Sequence, residues 1–539
     1  MTNLHVSQPV GCIIQGKMVQ GAAESFVVIN PADEQVLALC SSPSEAQIED
    51  TIRSAEQAFH QWKNMDDAAR QAILHRIADR IEEHREELAR LVVQEQGKPY
   101  ALAEFEVGGA IAWTRYQAEL KIETEVLQDD ATRQSILHRI ADRIEEHREE
   151  LARLVVQEQG KPYALAEFEV GGAIAWTRYQ AELKIETEIL QDDANKRIEL
   201  HHRPLGIVAS VTPWNWPLMI AVWHIMPAIR AGNVVINKPS EFTPLSTLRL
   251  GELIQEEVAP GVVSILTGGG EVGAKLTSHP AIAKVVFTGS TATGQRIMQS
   301  AAATFKHLTL ELGGNDAGIV LLDTDIQAMA TRIFHGAFIN MGQTCAALKR
   351  LYVHDSQYDA LAQELLKVAQ QQSLGDGLAE TTTFGPVQNI KQYQKVQAMI
   401  QEAQDEGAIV MTSEQNLPDT GYFIAPTIVT NVSPDSRLVQ EEQFGPVLPL
   451  IRYHDIEEVL TKANNTDFGL GGSIWSSNLE QAQQFAQRLS CGTAWINTHG
   501  EIFPHVPFGG WKHSGIGAQF GLSGLLENTI QQVVHINKN

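Results

Sequence analysis

The stretch "NMGQTCAAL" sets Cys345 among small and polar residues, the first place where side-chain type and setting could do covalent chemistry. A thiolate attacks carbonyls readily, and a thiol outside an apolar stripe is open to substrate. In "LELGGND", Glu311 is a carboxylate embedded in apolar sequence beside a Gly pair, where desolvation would raise its pKa toward general-base duty. In "TPWNWPL", Asn215 lies on a turn between a strand pattern and a helix pattern, and its amide could donate to an oxyanion. Taken one at a time, each reads more readily as an ordinary packing or turn residue.

A second group suits a phosphorylated ligand. In "KVVFTGSTATG" a β-branched run passes into a loop bounded by Gly289 and Gly294, with Ser290 opening a helix whose free N–H groups can receive a phosphate. "NKPSE" places Lys238 and Glu241 just past another strand pattern. A carboxylate there can accept both hydroxyls of an adenosine ribose and would repel a 2′-phosphate, which favours NAD over NADP.

The elements that must position these residues follow a simple alternation. From about Gly206, short β-branched runs end in Gly, Pro, Ser or Asn and each is followed by a helical pattern, as "GIVASVTP" precedes "PLMIAVWHIMPAIRAG". Such alternation implies a parallel, doubly wound α/β sheet with ligands at the carboxyl ends of its strands. A second α/β series begins near "GIVLLD" and continues through "RLYVHD", "GAIVMT" and "GTAWIN". Two further strand patterns, Lys196 to Pro204 and Thr529 to Ile536, lie outside the alternation and suit a small accessory sheet.

At 539 residues the chain calls for two or three domains, and its 43% hydrophobic and 20% charged residues are ordinary globular values. The formal charge of −24 is spread along the chain, which disfavours nucleic acid and anionic membrane surfaces as partners. The start "MTNLHVSQPVGC" lacks a basic patch before an apolar run, so a cytoplasmic location is expected, with no membrane span. Four cysteines without CxxC spacing give neither a disulfide framework nor a zinc site, and no metal is expected.

One feature is unusual: residues 70–131 match residues 133–194 at every position except Ala72 against Ser135 and Val126 against Ile189. Repeat folds need about three or more drifted units, so two near-identical copies read as a tandem duplication. Within a copy, Ile73, Leu74, Ile77, Ile81, Leu88, Leu91 and Val92 have helical spacing, "QGKP" is a stop, and a second helical pattern follows. The copy holds no catalytic cluster, and its expected role is packing.

Taken together, "TPWNWPL", "NKPSEFTP", "FTGSTATG", "LELGG", "GQTC", "EEQFGPV" and "PFGGWKHSGIG" resemble, in order and spacing, the motifs of the aldehyde dehydrogenase superfamily. The resemblance covers essentially the whole chain and makes one copy surplus, since 539 less 63 is 476, a usual length for such a subunit. It implies a hydrolytic, non-acylating NAD(P)-dependent enzyme of aldehyde dehydrogenase-like α/β fold: a Rossmann-like cofactor domain, an α/β catalytic domain and a small β oligomerisation element. The implied boundaries are 1–188 and 206–312 for the NAD-binding domain, 189–205 for oligomerisation strands, 313–510 for the catalytic domain and 511–539 for a C-terminal segment with another oligomerisation strand.

By resemblance, Cys345 is the nucleophile, the Asn215 amide and the Cys345 backbone N–H hold the oxyanion, and Glu311 activates water against the thioester. Trp214, Lys238, Glu241, Gly289, Ser290 and Gly294 match adenosine and pyrophosphate contacts, while Glu442 and Phe444 match the positions that hold the nicotinamide ribose and ring. Two departures stand out. His224 replaces the usual Lys of a proton relay, so either it relays the proton or the base works through water alone. Asn315 replaces the commoner Lys, as a tolerated neighbouring change. Trp216, Trp223, Phe338, Phe503 and Phe508 match or flank the substrate tunnel, favouring an apolar or aromatic aldehyde. A homodimer or homotetramer is expected; the alternatives are a CoA-acylating enzyme and a catalytically inactive structural protein.

Overall fold

The computed structural model describes residues 10–63, 79, 82, 83, 86, 130–183, 187–379, 381–413 and 417–539. The helical pattern expected from Ile73 in the first copy therefore lies outside the described residues, apart from Asp79, Glu82, Glu83 and Glu86, which are helical. The second copy is fully in place as far as Leu183. Its first helical pattern forms two helices rather than one, α1 (Asp130–Glu146) and α2 (Arg148–Gln159). The break falls at His147 (φ −103°, ψ 19°), whose ring meets Arg249 of a neighbouring helix. As the "QGKP" stop requires, Gly160 ends α2 in the left-handed region (φ 80°), and Pro162 precedes α3 (Tyr163–Glu182). Because α3 carries small and apolar residues on all sides, it is buried almost throughout. Contact between the copies is described at one point, where Arg178 on α3 pairs with Asp79 and with Glu82 (2.7 Å).

The β-branched runs after Gly206 form five parallel strands: β1 (Ile207–Val211), β2 (Val234–Lys238), β3 (Val263–Ile265), β4 (Ile282–Thr288) and β5 (His307–Glu311). Their spatial order is β3-β2-β1-β4-β5, so the winding reverses between β1 and β4, where a doubly wound sheet opens a crevice at its strand ends. Cys12–Ile14 and Lys17–Val19 extend the sheet beyond β3, and Gly515–Ile516 extends it beyond β5, all antiparallel. Two crossover helices matter for the site, α4 (Pro217–Arg230) after β1 and α5 (Thr291–Ala301) after β4. With apolar residues on every face, α4 is buried between the sheet and α3.

Only Leu312 to Asn315 separate β5 from the second sheet. There β6 (Asp316–Val320), β7 (Leu348–His354) and β8 (Val447–Tyr453) lie side by side in the order β8-β7-β6, all parallel. Gly471–Trp475 and Thr493–Ile496 continue beyond β6; Thr427–Thr430 and an antiparallel Ile409–Thr412 continue beyond β8. Helix α6 (Ile390–Asp405) packs its Val396, Met399 and Ala403 into one of the cores of this sheet. Because the connection from β5 to β6 is so short, the carboxyl edge of the first sheet meets the amino edge of the second.

Glu188–Asp192, Lys196–Pro204 and Thr529–Asn537 form a separate three-stranded antiparallel sheet, the last two paired from Thr529↔Pro204 to Asn537↔Lys196. Its first strand lies at the end of the second copy, and the sheet exposes Ile189, Leu190, Ile530, Val533 and Ile536. No described helix is long and apolar enough to cross a membrane.

Candidate active site

Strand ends gather the chemistry. Trp214 and Asn215 follow β1, Lys238 ends β2, Gly289 and Ser290 follow β4, and Glu311 ends β5, so four neighbouring strands present them along one carboxyl edge. From the other sheet, Cys345 lies just ahead of β7, and Glu442 and Phe444 lie just ahead of β8. The edge-to-edge meeting of two sheets thus assembles residues spread from position 214 to position 444.

The nucleophile loop is held in a strained form. Asn340 (φ 51°), Met341 (φ 55°) and Gly342 (φ 70°) are successive left-handed residues, and Phe444 opposite has φ 52°. Each such non-glycine residue costs about 1–3 kcal/mol and persists only where its surroundings fix it. A Cβ at Gly342 would run into the carbonyl of Gly445, so the loops of Cys345 and of Glu442 touch through backbone. Asn340 Nδ2 donates to Asn215 O (3.0 Å), Asn215 Nδ2 donates to Gln343 O (2.9 Å), and Trp216 Nε1 donates to Thr344 Oγ1 (3.0 Å). These bonds fix Asn215 against the loop two residues ahead of the thiol.

Cys345 is half-buried. Burial first, then the charges of Glu311, Glu442 and Asp316, push its thiol up to about 12. Glu311 is only 3% exposed, neither of its carboxylate oxygens has a hydrogen-bond partner, and burial raises its pKa well above the usual range. Burial thus keeps both groups protonated in the resting site, and a charge on Glu311 further opposes ionisation of the thiol. A thiol that ionises on demand beside a desolvated carboxyl is suited to nucleophilic attack followed by activation of water.

Sequence reasoning missed two residues in the second copy. Lys161 and Glu169 form a fully buried ion pair. Lys161 Nζ also donates to Asn215 O (2.8 Å) and lies 4.1 Å from the centroid of the Trp216 ring. The other oxygen of Glu169 accepts from Leu218 N (2.6 Å) and Met219 N (3.1 Å), the first amides of α4. A carboxylate on a helix N-terminus satisfies donors that the helix cannot and opposes its dipole. The second copy is therefore more than packing, because it pins the turn that carries Asn215. The signal was a set of charged residues, Lys161, Glu167 and Glu169, in a stretch otherwise made of apolar and small residues.

The residues matched to a dinucleotide lie at or after the ends of β1, β2 and β4 and on the segment ahead of β8. Lys238 is buried, with Nζ 3.5 Å from Glu241, whose carboxylate is partly exposed. Ser290 caps α5 through Thr293 N (3.3 Å), and Gly294 is packed on Leu312, where a Cβ would not fit. The ring of Trp214 stands edge-on to Phe444 at 5.3 Å between centroids. Glu442 Oε1 accepts from Gly314 N (3.1 Å). An open carboxylate after β2, a helix N-terminus after β4 and a second carboxylate ahead of β8 are groups of the kind that bind a nicotinamide dinucleotide.

His224 on α4 is buried, its Nδ1 3.0 Å from Ser210 Oγ and its Nε2 3.0 Å from Thr288 Oγ1. Burial, and then the nearby Lys284, drop its pKa to about 3, so the ring is neutral. Asn315 donates to Val439 O (2.9 Å), which ties the end of the Gly pair to the loop before β8. Among the aromatic residues, Trp216, Trp223 and Phe508 share the core that Cys345 packs against, with Trp223 4.8 Å from Phe520 and 5.0 Å from Trp176 between ring centroids. Phe338 instead stacks on Phe334 (4.5 Å) in a core of the second sheet, and Phe503 is exposed beside His505.

Residues 18–130 and 127–534 match the aldehyde dehydrogenase family, and the chain belongs to that family. It is 39% identical over 419 residues to phenylacetaldehyde dehydrogenase of Pseudomonas fluorescens, covering 74% of this chain and 84% of that protein. The NAD+ complex of an aldehyde dehydrogenase from Bacillus cereus superposes with a TM-score of 0.83 at 32% identity, over 99% of this chain and 98% of that one. An E. coli NADP-dependent enzyme also superposes with a TM-score of 0.83, at 29% identity and 98% coverage of both chains. The chain is thus an aldehyde dehydrogenase, an oxidoreductase that oxidises aldehydes with a nicotinamide cofactor.

Proposed function

We propose that this enzyme is hydrolytic and prefers NAD, oxidising an apolar or aromatic aldehyde to its carboxylic acid. The observation that carries the reading is Glu311: a buried carboxyl with both oxygens unpartnered, close enough to Cys345 to raise its pKa. A base so placed serves water, whereas an acylating enzyme would hand its thioester to CoA without one.

Sγ of Cys345 attacks the carbonyl carbon as its proton leaves for the neighbouring carboxylate. The second amide hydrogen of Asn215 Nδ2 and the Cys345 backbone N–H hold the oxyanion, a type of contact worth about 3–4 kcal/mol where such donors have been removed. NAD held by Glu442 and Phe444 would supply the acceptor for the hydride of the thiohemiacetal. Once Glu311 has passed the thiol proton to solvent, it takes a proton from water as the oxygen attacks the Cys345 thioester and returns it to the departing sulfur, which frees the thiol with release of the acid. His224, neutral and bonded at both nitrogens, supports Thr288 and leaves proton exit from Glu311 to water.

Lys238, Glu241, Ser290, Glu442 and Phe444 would hold the cofactor, with Glu241 set against a 2′-phosphate. Trp216, Trp223 and Phe508 favour a substrate without charge; Phe338 and Phe503 stand further off. The exposed apolar residues of the three-stranded sheet suit pairing with a second copy, giving a dimer or tetramer, and one copy of the duplicated segment is surplus. The segment 189–205 then serves assembly, between the two parts of a cofactor domain (1–188 and 206–312) and a catalytic domain (313–510). The test is NADH formation with an aliphatic, an aromatic and a carboxylated aldehyde, with NAD or NADP, and with or without CoA. Turnover of the aromatic aldehyde with NAD alone is expected. Strict dependence on CoA would overturn hydrolysis, and no reduced cofactor under any condition would overturn the enzyme itself.

A further inference from the structure

Lys349 has no part in the reaction just described, yet it is wholly buried four residues after Cys345. A buried ammonium is costly unless bonded and balanced by charge. Its Nζ donates to the carbonyl of Gly342 in the nucleophile loop and lies 5.9 Å from the centroid of the Phe444 ring. Its own carbonyl is 3.4 Å from Gln443 Nε2. Lys349 therefore touches both loops that meet at Gly342 and Gly445.

Four charged or titratable groups face it: Glu442 ahead of β8, Asp316 on β6, Cys345 in its own loop and Lys395 on α6. Two of these are otherwise occupied. Asp316 accepts from Gly471 N (3.0 Å) and faces His499 Nε2 (3.5 Å), while Lys395 Nζ donates to the backbone carbonyl of Glu442 (2.7 Å). Burial raises the pKa of Glu442, Asp316 raises it further, and Lys349 is the largest influence opposing them, ahead of the Gly314 amide and Lys395.

We propose that Lys349 is a positioning residue: its buried ammonium clamps the nucleophile loop at Gly342 and supplies the counter-charge that Glu442 needs to receive the ribose hydroxyls of the cofactor. This rests on the reading that Glu442 holds the nicotinamide ribose. A carboxylate accepts two hydroxyls, whereas a protonated carboxyl donates one of its own hydrogens and fits them poorly.

The experiment measures NAD affinity of the intact enzyme from tryptophan quenching between pH 6.5 and 9.5, without aldehyde, for wild type, Lys349→Met, Lys349→Arg, Glu442→Gln and the Met/Gln double variant. Lys349→Met should weaken binding about fivefold at pH 7, the effect of one further pKa unit on a Glu442 carboxyl already raised to about 7, with the gap closing toward pH 9.5. Lys349→Arg should keep the wild-type profile. In the Glu442→Gln background, adding Lys349→Met should change affinity less than about twofold, because the coupled partner is already gone. A loss independent of pH, or one that persists in full beside Glu442→Gln, would overturn the proposal and leave Lys349 a steric support. Should Lys349→Met not fold, Glu442→Gln alone decides: its profile must be flat where wild type is not. Wild type that fails to bind NAD at all would instead sink the cofactor reading.

Discussion

Replacing Lys161 with Met tests whether the second copy carries the site. The substitution removes the ammonium that joins Glu169 to the carbonyl of Asn215. Breaking a buried pair from one side costs about 3–5 kcal/mol. Here the lower end applies, about 3 kcal/mol, because Glu169 keeps the amides of Leu218 and Met219 as donors. Glu169→Leu belongs at the upper end, about 5 kcal/mol, since it leaves the ammonium inside and also takes the acceptor from those two amides. The double variant should cost less than the two changes added, as neither charge is left behind. At roughly 2–4 °C per kcal/mol for a domain of 150–250 residues, Lys161→Met lowers Tm by about 6–12 °C. Turnover should drop by up to about 100-fold, because Asn215 loses its backing and a displacement of about 1 Å in an oxyanion donor is enough for that. The assays are thermal unfolding and steady-state kinetics, with Lys98→Met, the identical residue of the first copy, as control. Native Tm and turnover for Lys161→Met would refute the reasoning, and equal damage from Lys98→Met would show that the first copy can take the site.

Three further outcomes are expected. Deleting residues 70–132 should leave mass in solution and turnover unchanged, with Arg178 turning to Asp142 (3.5 Å) once Asp79 and Glu82 are gone; a collapse of activity would show that neither copy is redundant. The Cys345 thiol, held up to about 12, should react with iodoacetamide about tenfold faster per pH unit from pH 7 to pH 10 in the free enzyme, and a plateau near pH 7 would contradict the burial argument. His224 is depressed from its ordinary 6.5 to about 3, so the stability it lends is complete above pH 6.5 and is lost as pH falls toward 3. That contribution reaches about 5 kcal/mol, and His224→Gln should flatten the acid limb of a urea-unfolding series over that range while leaving the pH profile of turnover in place.

Local residue type and spacing determined much of this protein. The alternation after Gly206 gave parallel strands, and the rule that ligands meet such sheets at their carboxyl ends put Asn215, Lys238 and Ser290 on one edge, whereas the place of Glu311 at the end of β5 came from the fold. The stop at Gly160 and Pro162 was equally local, as was the three-stranded sheet outside the alternation. Tertiary structure alone decided what depends on distance between remote segments. The break at His147 arises where another helix meets its ring, and nothing in an amphipathic pattern marks it. The partnership of Lys161 and Glu169 with the Asn215 turn joins a packing hairpin to the catalytic edge across some fifty residues, through bonds that no periodicity encodes. Cys345 read as an accessible thiol, yet three carboxylates and burial make it a reluctant acid, because desolvation and Coulomb forces depend on where chains meet rather than on neighbours in sequence. For the same reason the second copy reaches the site: the fold sets its Lys161 and Glu169 against α4 and the turn before it.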